Sequence, residues 1–286
     1  MNPRTEDAFR ADIVEVGRRM YARAYVASND GNISIKLDDA TILTTPKSVS
    51  KGFMTPDMMV VVDLDGKKIR GTRDASSELL MHLEVYKNRP DVRAVVHAHP
   101  PIATGFAVAG IPLDRAVLAE VVTTLGSIPI AEYGTPSTPE LPAAVRKYIK
   151  AHDGLLLANH GALTIGPDVY AAYYKMETIE HFAKISLVTR QLGREHLLSR
   201  EEVQRLQELR GNYGIKAPAP ICADGSESAA PADQASCQIV EAPSSRGARL
   251  IPTDPADLDG EIRLSYRELA ALIEDAVKAL LGGQHG

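Results

Sequence analysis

The sequence predicts a three-layer α/β/α domain with a mixed central sheet. Three observations predict it. A first amphipathic helix is followed by short β-branched runs joined by tight turns. From residue 76 onward, helical and apolar strand-like segments alternate. Two of the apolar segments carry a histidine to their ends.

Phe9, Ile13, Val16, Met20 and Ala24 recur at steps of three and four, which marks one face of a helix over 8–24 with Thr5 as its cap. Ser28-Asn29-Asp30-Gly31 is a cluster of turn formers that ends it. The runs 33–37, 41–45 and 58–63 read as strands, and Asp65-Gly66 as a hairpin turn into a strand near Ile69. A helix over 76–88 follows, capped by Ser76, with Leu79, Leu80, Leu83 and Tyr86 on its apolar side. Next come a strand over 92–97 closed by Pro100-Pro101, a helix opened by Thr138-Pro139-Glu140 and running to about Ala151, and a strand over 154–158. A long helix spans 168–192, with Tyr173, Met176, Ile179, Phe182, Ala183 and Leu187 on one side.

After Gly193 the pattern weakens. Residues 217–260 hold six of the 18 prolines, ten alanines and no aromatic residue, the composition of an extended linker. Ser265-Tyr266-Arg267-Glu268 resembles a capping box for a last amphipathic helix. The expected division is a catalytic domain over 1–215 and a Pro/Ala-rich linker ending in a helix over 216–286.

Composition narrows the function classes. The chain has 286 residues, 44% of them hydrophobic and 24% charged, with a net charge of −5. That balance points away from nucleic acid and anionic membranes as partners. No apolar run approaches the roughly 18–20 residues of a membrane span. Cys222 and Cys237 do not make a disulfide framework, so a reducing cytoplasm is the expected compartment.

The chemistry concentrates in Val96-His97-Ala98-His99-Pro100. Residues two apart on a strand share a face, with roots about 6.6 Å apart. His97 and His99 therefore suit a single divalent cation, although such a pair also fits a solvated strand end. Asn159-His160-Gly161 ends a second apolar strand in the same way. Three neutral imidazoles with an open position form a catalytic rather than a structural zinc arrangement. His82 and His181 read as packing residues within helices, and His152, His196 and His285 as exposed. Glu78 sits at a helix start, where it either ligates the metal, moves a proton beside it, or complements the helix dipole. Gly31-Asn32, Thr45-Pro46-Lys47-Ser48 and Ser76-Ser77 offer small hydroxyls, turn N–H groups and one lysine. That is either phosphate-binding equipment or turn chemistry alone.

With these motifs in hand, residues 8–193 resemble the class II aldolase superfamily, which includes fuculose-phosphate aldolases, pentulose-phosphate 4-epimerases and methylthioribulose-phosphate dehydratases. Gly31-Asn32-Ile33-Ser34, Ser76-Ser77-Glu78, His97-Ala98-His99 and Asn159-His160-Gly161 carry the resemblance together. It implies a class II aldolase-like α/β/α fold and a homotetramer with active sites at subunit interfaces. It also implies Zn2+, or another divalent metal, on His97, His99 and His160. Glu78 would bind the resting metal and then act as general acid/base. Asn32, Ser76 and Ser77 would hold a substrate phosphate, with Lys47 and Ser48 beside them. Lys47-Ser48 departs from the family's Thr-Gly at that loop, and Ala116 stands near the place of its protonating tyrosine. Glu120, close by, either replaces that tyrosine or is an ordinary helix charge. The implied reaction is cleavage of a ketose 1-phosphate to dihydroxyacetone phosphate and a small aldehyde. Epimerase, dehydratase and decarboxylase activities share the metal, and a non-catalytic adducin-like module is the distant alternative.

Overall fold

The computed structural model describes residues 4–215 together with Ala217 and Ile221. The expected linker over 216–286, with its closing helix, lies outside these residues apart from those two positions. Eight strands form one sheet: β1 (Asn32–Lys36), β2 (Thr41–Thr44), β3 (Val60–Asp63), β4 (Lys68–Arg70), β5 (Ala94–Ala98), β6 (Ile130–Ala131), β7 (Gly154–Leu157) and β8 (Gly161–Gly166). Their order is β4-β3-β2-β1-β5-β8-β7-β6. Every pairing is antiparallel except β6 with β7, so the sheet is mixed, as the sequence predicts.

The helices are α1 (Glu6–Ala22), α2 (Leu79–Asn88), α3 (Pro101–Ala109), α4 (Ala119–Thr124), α5 (Glu140–Arg146), α6 (Val169–Gln191) and α7 (Arg200–Leu209). Side chains alternate across a strand, so each strand serves two cores. On one face Ile33, Ile35, Val96 and Ala162 meet Ile13, Val16 and Met20 of α1 and Tyr173, Met176 and Phe182 of α6. On the other, Val62, Val95, Leu163 and Ile165 meet Leu83 and Tyr86 of α2 and Leu141 and Val145 of α5.

The helix caps follow their residue types. Thr5 accepts the N–H of Ala8, and Asp168 accepts that of Ala171. Ser199 and Glu202 form a reciprocal capping box on α7, an element without an expectation from sequence. The helix after Pro101 and strand β8 were likewise not predicted. Pro101 opens α3 as an N-terminal proline can, instead of merely closing β5. Gly161 starts a strand where a simple turn is expected, because β8 fills the slot between β5 and β7.

Two expectations about faces need correction. Leu80 is 44% exposed, because α2 turns His82 rather than Leu80 into the core. Leu187 lies at the surface, because the buried stripe of α6 runs on through Ala183 and Ser186 and leaves Leu187 beside it. The region from 217 also begins inside the fold. Arg210 donates to the Ala217 carbonyl at 2.8 Å, and Ile221 is buried with Ala116, Val122 and Val203.

The helix that carries Glu78 is fixed along its length by charge as well as by packing. Arg146 of α5 donates to Glu84 of α2 at 3.0 Å, and Asn88 donates to the same carboxylate. Beyond the helix, Arg89 joins Asp91, Asp153 and the Ile149 carbonyl, while Lys175 of α6 reaches Asp153 from the opposite layer. Arg146, with Asn88, holds the Glu84 carboxyl below its ordinary range despite some burial. A lowered folded-state pKa stabilises above the unfolded value and is lost as pH falls through the folded one. Arg146 is largely exposed, so the contribution is only about 0.5–1 kcal/mol. Glu84→Gln should lower stability by that amount at pH 7. The gap between the two proteins should close as pH falls below about 4, as measured by denaturant unfolding across pH.

Candidate metal centre

Three short structural facts bring the histidines together. β5 ends at Ala98, so His97 lies on the strand and His99 just past it. His160 sits in the three-residue turn between β7 and β8, where Asn159 adopts a left-handed φ of 54°. β8 pairs with β5, which lays that turn against the tip of β5. The three ring centroids stand 4.8–5.0 Å apart, and one ligand nitrogen from each ring lies within 4.8 Å of the others.

The second nitrogens settle which way the lone pairs point. His97 Nδ1 donates to the Ala162 carbonyl at 2.9 Å, which leaves Nε2 unprotonated. His99 Nδ1 is 3.4 Å from Asp30 Oδ2, which orients its ring in the same sense. The two Nε2 atoms then face each other at 3.1 Å. Tetrahedral zinc with bonds of 2.0–2.1 Å would hold two imidazole nitrogens roughly 3.3 Å apart. Burial, with the neighbouring rings adding to it, pushes the His97 imidazole far below its usual pKa. Burial also lowers that of His99. Neutral rings with converging lone pairs repel one another unless a cation lies between them. The donor set therefore fits a divalent metal.

Glu78 completes the cluster from the start of α2. Its Oε1 is 3.0 Å from His160 Nε2, and its Oε2 is 3.4 Å from His97 Nε2. Asn32 Nδ2 donates to Oε2 at 2.7 Å. Oε1 has no hydrogen bond of proper geometry despite that short contact, nor does His160 Nδ1. A buried carboxylate oxygen that touches an imidazole nitrogen without bonding it suits a shared ion. Burial alone would raise the Glu78 carboxyl. The His97 and His160 rings and the Asn32 amide more than offset it and hold the group well below the ordinary range.

Of the expected phosphate residues, Lys47, Ser48, Ser76 and Ser77 fall into one ribbon. Pro46 bridges Ala75, Lys47 N–H donates to the Asp74 carbonyl, and Ser76 N–H donates to that of Thr45. Ser76 Oγ accepts the Glu78 N–H at 3.3 Å, which ties this ribbon to the centre. Lys47, Ser48 and Ser77 lie exposed on it. Asn32 is buried, with its amide bonded to Glu78. Glu120 lies elsewhere. It lines a cavity of about 830 Å³ with Arg23, Tyr25, Tyr174, Glu177 and His181. Tyr25 links that cavity to the centre, since its carbonyl accepts the His99 N–H at 2.9 Å.

The other histidines divide differently from expectation. His82 is buried, as a packing residue should be. His181 is exposed on the cavity wall instead of packed. His152 is only 9% exposed, because its Nδ1 bonds the Ser127 carbonyl under the sheet edge. His196 is exposed, and His285 lies outside the described residues.

Two contributors have no sequence signal of their own. Asp30 reads only as a turn former, yet it orients His99. Lys51 belongs to no motif in the sequence, yet it is 2% exposed and donates to the Asn29 and Val49 carbonyls at 2.9 and 2.6 Å. Burial lowers its pKa to about 8, against the pull of Asp30 and Glu78. It clamps the turn that presents Asp30 and Asn32.

Gly161 is the tightest point of the cage. A Cβ there would lie 2.5 Å from the Ala98 carbonyl oxygen and 2.5 Å from His99 Cδ2. Gly161→Ala should cost about 1–3 kcal/mol of stability in thermal unfolding of the metal-free protein. It should also weaken the binding of an added divalent metal by about tenfold or more in a chelator competition.

Residues 11–187 match the family described as Class II Aldolase and Adducin N-terminal domain. The chain is 34% identical to an L-fuculose phosphate aldolase of Methanococcus maripaludis over 181 residues, which cover 63% of this chain and 97% of that one. It is 31% identical to a 3-oxo-tetronate 4-phosphate decarboxylase of Pectobacterium atrosepticum over 188 residues, covering 64% and 86%. The L-fuculose-1-phosphate aldolase structure from Thermus thermophilus superposes with a TM-score of 0.59 at 30% identity, covering 65% of this chain and 95% of that one. Among the described residues, no helix is long and apolar enough to cross a membrane. On the extent of these matches and the fold they share, the chain belongs to the class II aldolase and adducin N-terminal domain family.

Proposed function

We propose that the chain is a metal-dependent carbon–carbon lyase acting on a phosphorylated sugar, and specifically an aldolase that cleaves a ketose 1-phosphate of the fuculose-1-phosphate type. The observation that carries this reading is the cage itself. Three imidazoles bring one ring nitrogen each to within 4.8 Å of the others, and a carboxylate lies against two of the rings. His97, His99 and His160 would hold the ion, with zinc as the first candidate and another divalent cation as the alternative. Such an ion supplies Lewis acidity toward a substrate carbonyl and its neighbouring hydroxyl oxygen.

The protein's own groups do the rest. When the C3–C4 bond breaks, its electron pair stays on C3 of the dihydroxyacetone phosphate fragment. Glu78, beside the rings and fixed by Asn32, delivers the proton to that carbon. The C4 hydroxyl loses its proton as C4 becomes the aldehyde. Glu120 is assigned that proton, on the strength of the cavity it shares with Tyr25. Ser76, Ser77, Lys47, Ser48 and Asn32 are assigned the phosphate. The ribbon that joins residues 44–48 to 74–77 supports this, because it brings turn N–H groups, hydroxyls and one ammonium to one place. A homotetramer in the cytoplasm belongs to the same reading.

The decarboxylase relative supports a second reading in which the bond broken releases carbon dioxide from a phosphorylated keto acid. An adducin-like scaffold has no use for converging lone pairs and is disfavoured by them. The test uses purified protein with fuculose, rhamnulose, 5-deoxyribulose and methylthioribulose 1-phosphates and with 3-oxo-tetronate 4-phosphate. Each is assayed for dihydroxyacetone phosphate and carbon dioxide, with and without chelator. Metal-dependent release of dihydroxyacetone phosphate from a ketose 1-phosphate is expected. About one zinc should bind per chain, and His160→Ala should abolish both binding and turnover. Zinc-loaded protein that releases the triose phosphate from none of these would defeat the aldolase assignment. Carbon dioxide release would then favour the second reading.

A further inference from the structure

Behind Glu78 runs a line of buried polar side chains that the proposed chemistry does not use. Ser34 Oγ lies 2.7 Å from His82 Nδ1 and 2.8 Å from the Tyr86 hydroxyl. All three residues are at most 4% exposed. Burial holds the His82 imidazole at a pKa of about 4, so the ring is neutral. The Tyr86 and Ser34 hydroxyls and His82 Nδ1 form one hydrogen-bonded line, and either direction of donation along it leaves Nε2 of the ring outside it. That atom has no hydrogen-bond partner among the described residues.

This seam is costly. Three polar groups are buried between a helix and a sheet, and one ring nitrogen is left unsatisfied. Leucine at 82 and alanine at 34 would pack there without that desolvation. What they would lose is direction. Glu78, His82 and Tyr86 follow one another at steps of four on α2, and Asn32 and Ser34 at a step of two on β1. Four helical residues advance about 6.0 Å and two strand residues about 6.6 Å. The spacings match, so α2 lies along β1 with Asn32 on Glu78 and Ser34 on His82. A slip of one helical residue, about 1.5 Å, would break both pairs at once.

We propose that His82, engaged through Ser34 and Tyr86, is a positioning residue for Glu78. It fixes the axial and rotational register of α2 on β1 and so sets the carboxylate against the three imidazoles. This inference rests on the proposed metal centre for one of its two readouts.

The test compares His82→Leu and His82→Asn with the native chain, each folded and metal-free at the start. Zinc alone is titrated against a competing chelator, and a metal-free crystal structure of His82→Leu is determined. The thermal midpoint of His82→Leu should stay near that of the native protein. Its zinc affinity should fall about tenfold or more, with Glu78 displaced from Asn32. His82→Asn, which keeps a polar partner for Ser34, should recover most of the affinity. Native zinc affinity in His82→Leu with the Asn32–Glu78 bond intact would overturn the proposal, as would an asparagine variant no better than leucine. Should His82→Leu fail to fold, Ser34→Ala is held to the same two measurements. If the native chain itself binds no zinc, the metal reading falls, and the position of Glu78 in the variant structure alone decides this one.

Discussion

Converging nitrogen lone pairs beside a buried carboxylate are the constraint to which the rest of the structure answers. Such a cluster is unfavourable on its own terms, and nothing in the surrounding core dilutes it. It persists because rigid elements deliver every member. His97 comes from a strand in the middle of the sheet and His160 from a tight hairpin laid against it. Glu78 comes from a helix held at its far end by Arg146 and Arg89. Each ring also spends its other nitrogen, or its backbone, on a fixed partner. Pre-organisation of this kind lets a site bind an ion without a large ordering cost.

The layered architecture follows from the same demand. β1 and β5 are neighbours in mid-sheet, and their pairing places Asn32 opposite His97. Both strands are covered on both faces, so the polar residues of β1 cannot turn to solvent and must find partners within the fold. Asn32 and Ser34 find them at Glu78, His82 and Tyr86, and Lys36 at Asp39. The alternation along β1 is an internal division, with Ile33 and Ile35 toward α1 and α6 and Asn32 and Ser34 toward Glu78 and His82.

Much of this was legible beforehand, and what was not has physical reasons. The meander of β1–β4, α1 and its Thr5 cap, the long α6, and the histidine-bearing strand tips all declare themselves through periodicity and turn residues. Strand β8 was missed because a glycine after a histidine looks like a chain reversal, and only the pairing with β5 makes it a strand. The buried His152 depends on a carbonyl 25 residues away. Lys51 and Asp30 act through backbone oxygens and a ring nitrogen brought close by folding, which no local pattern encodes. The histidine trio could be guessed because each member ends an apolar run. The groups that hold the trio could not, because their partners are remote in sequence.

The cavity that holds Glu120 belongs to the layer of α1, α4 and α6, whereas Glu78 and its seam belong to the layer of α2. The two layers meet at the tip of β5, where the Tyr25 carbonyl accepts the His99 N–H. Mutations that reshape the rim on one side therefore leave the packing that secures the carboxylate on the other largely undisturbed. A chain built on this plan can change the lining of that cavity while keeping Glu78 against its imidazoles.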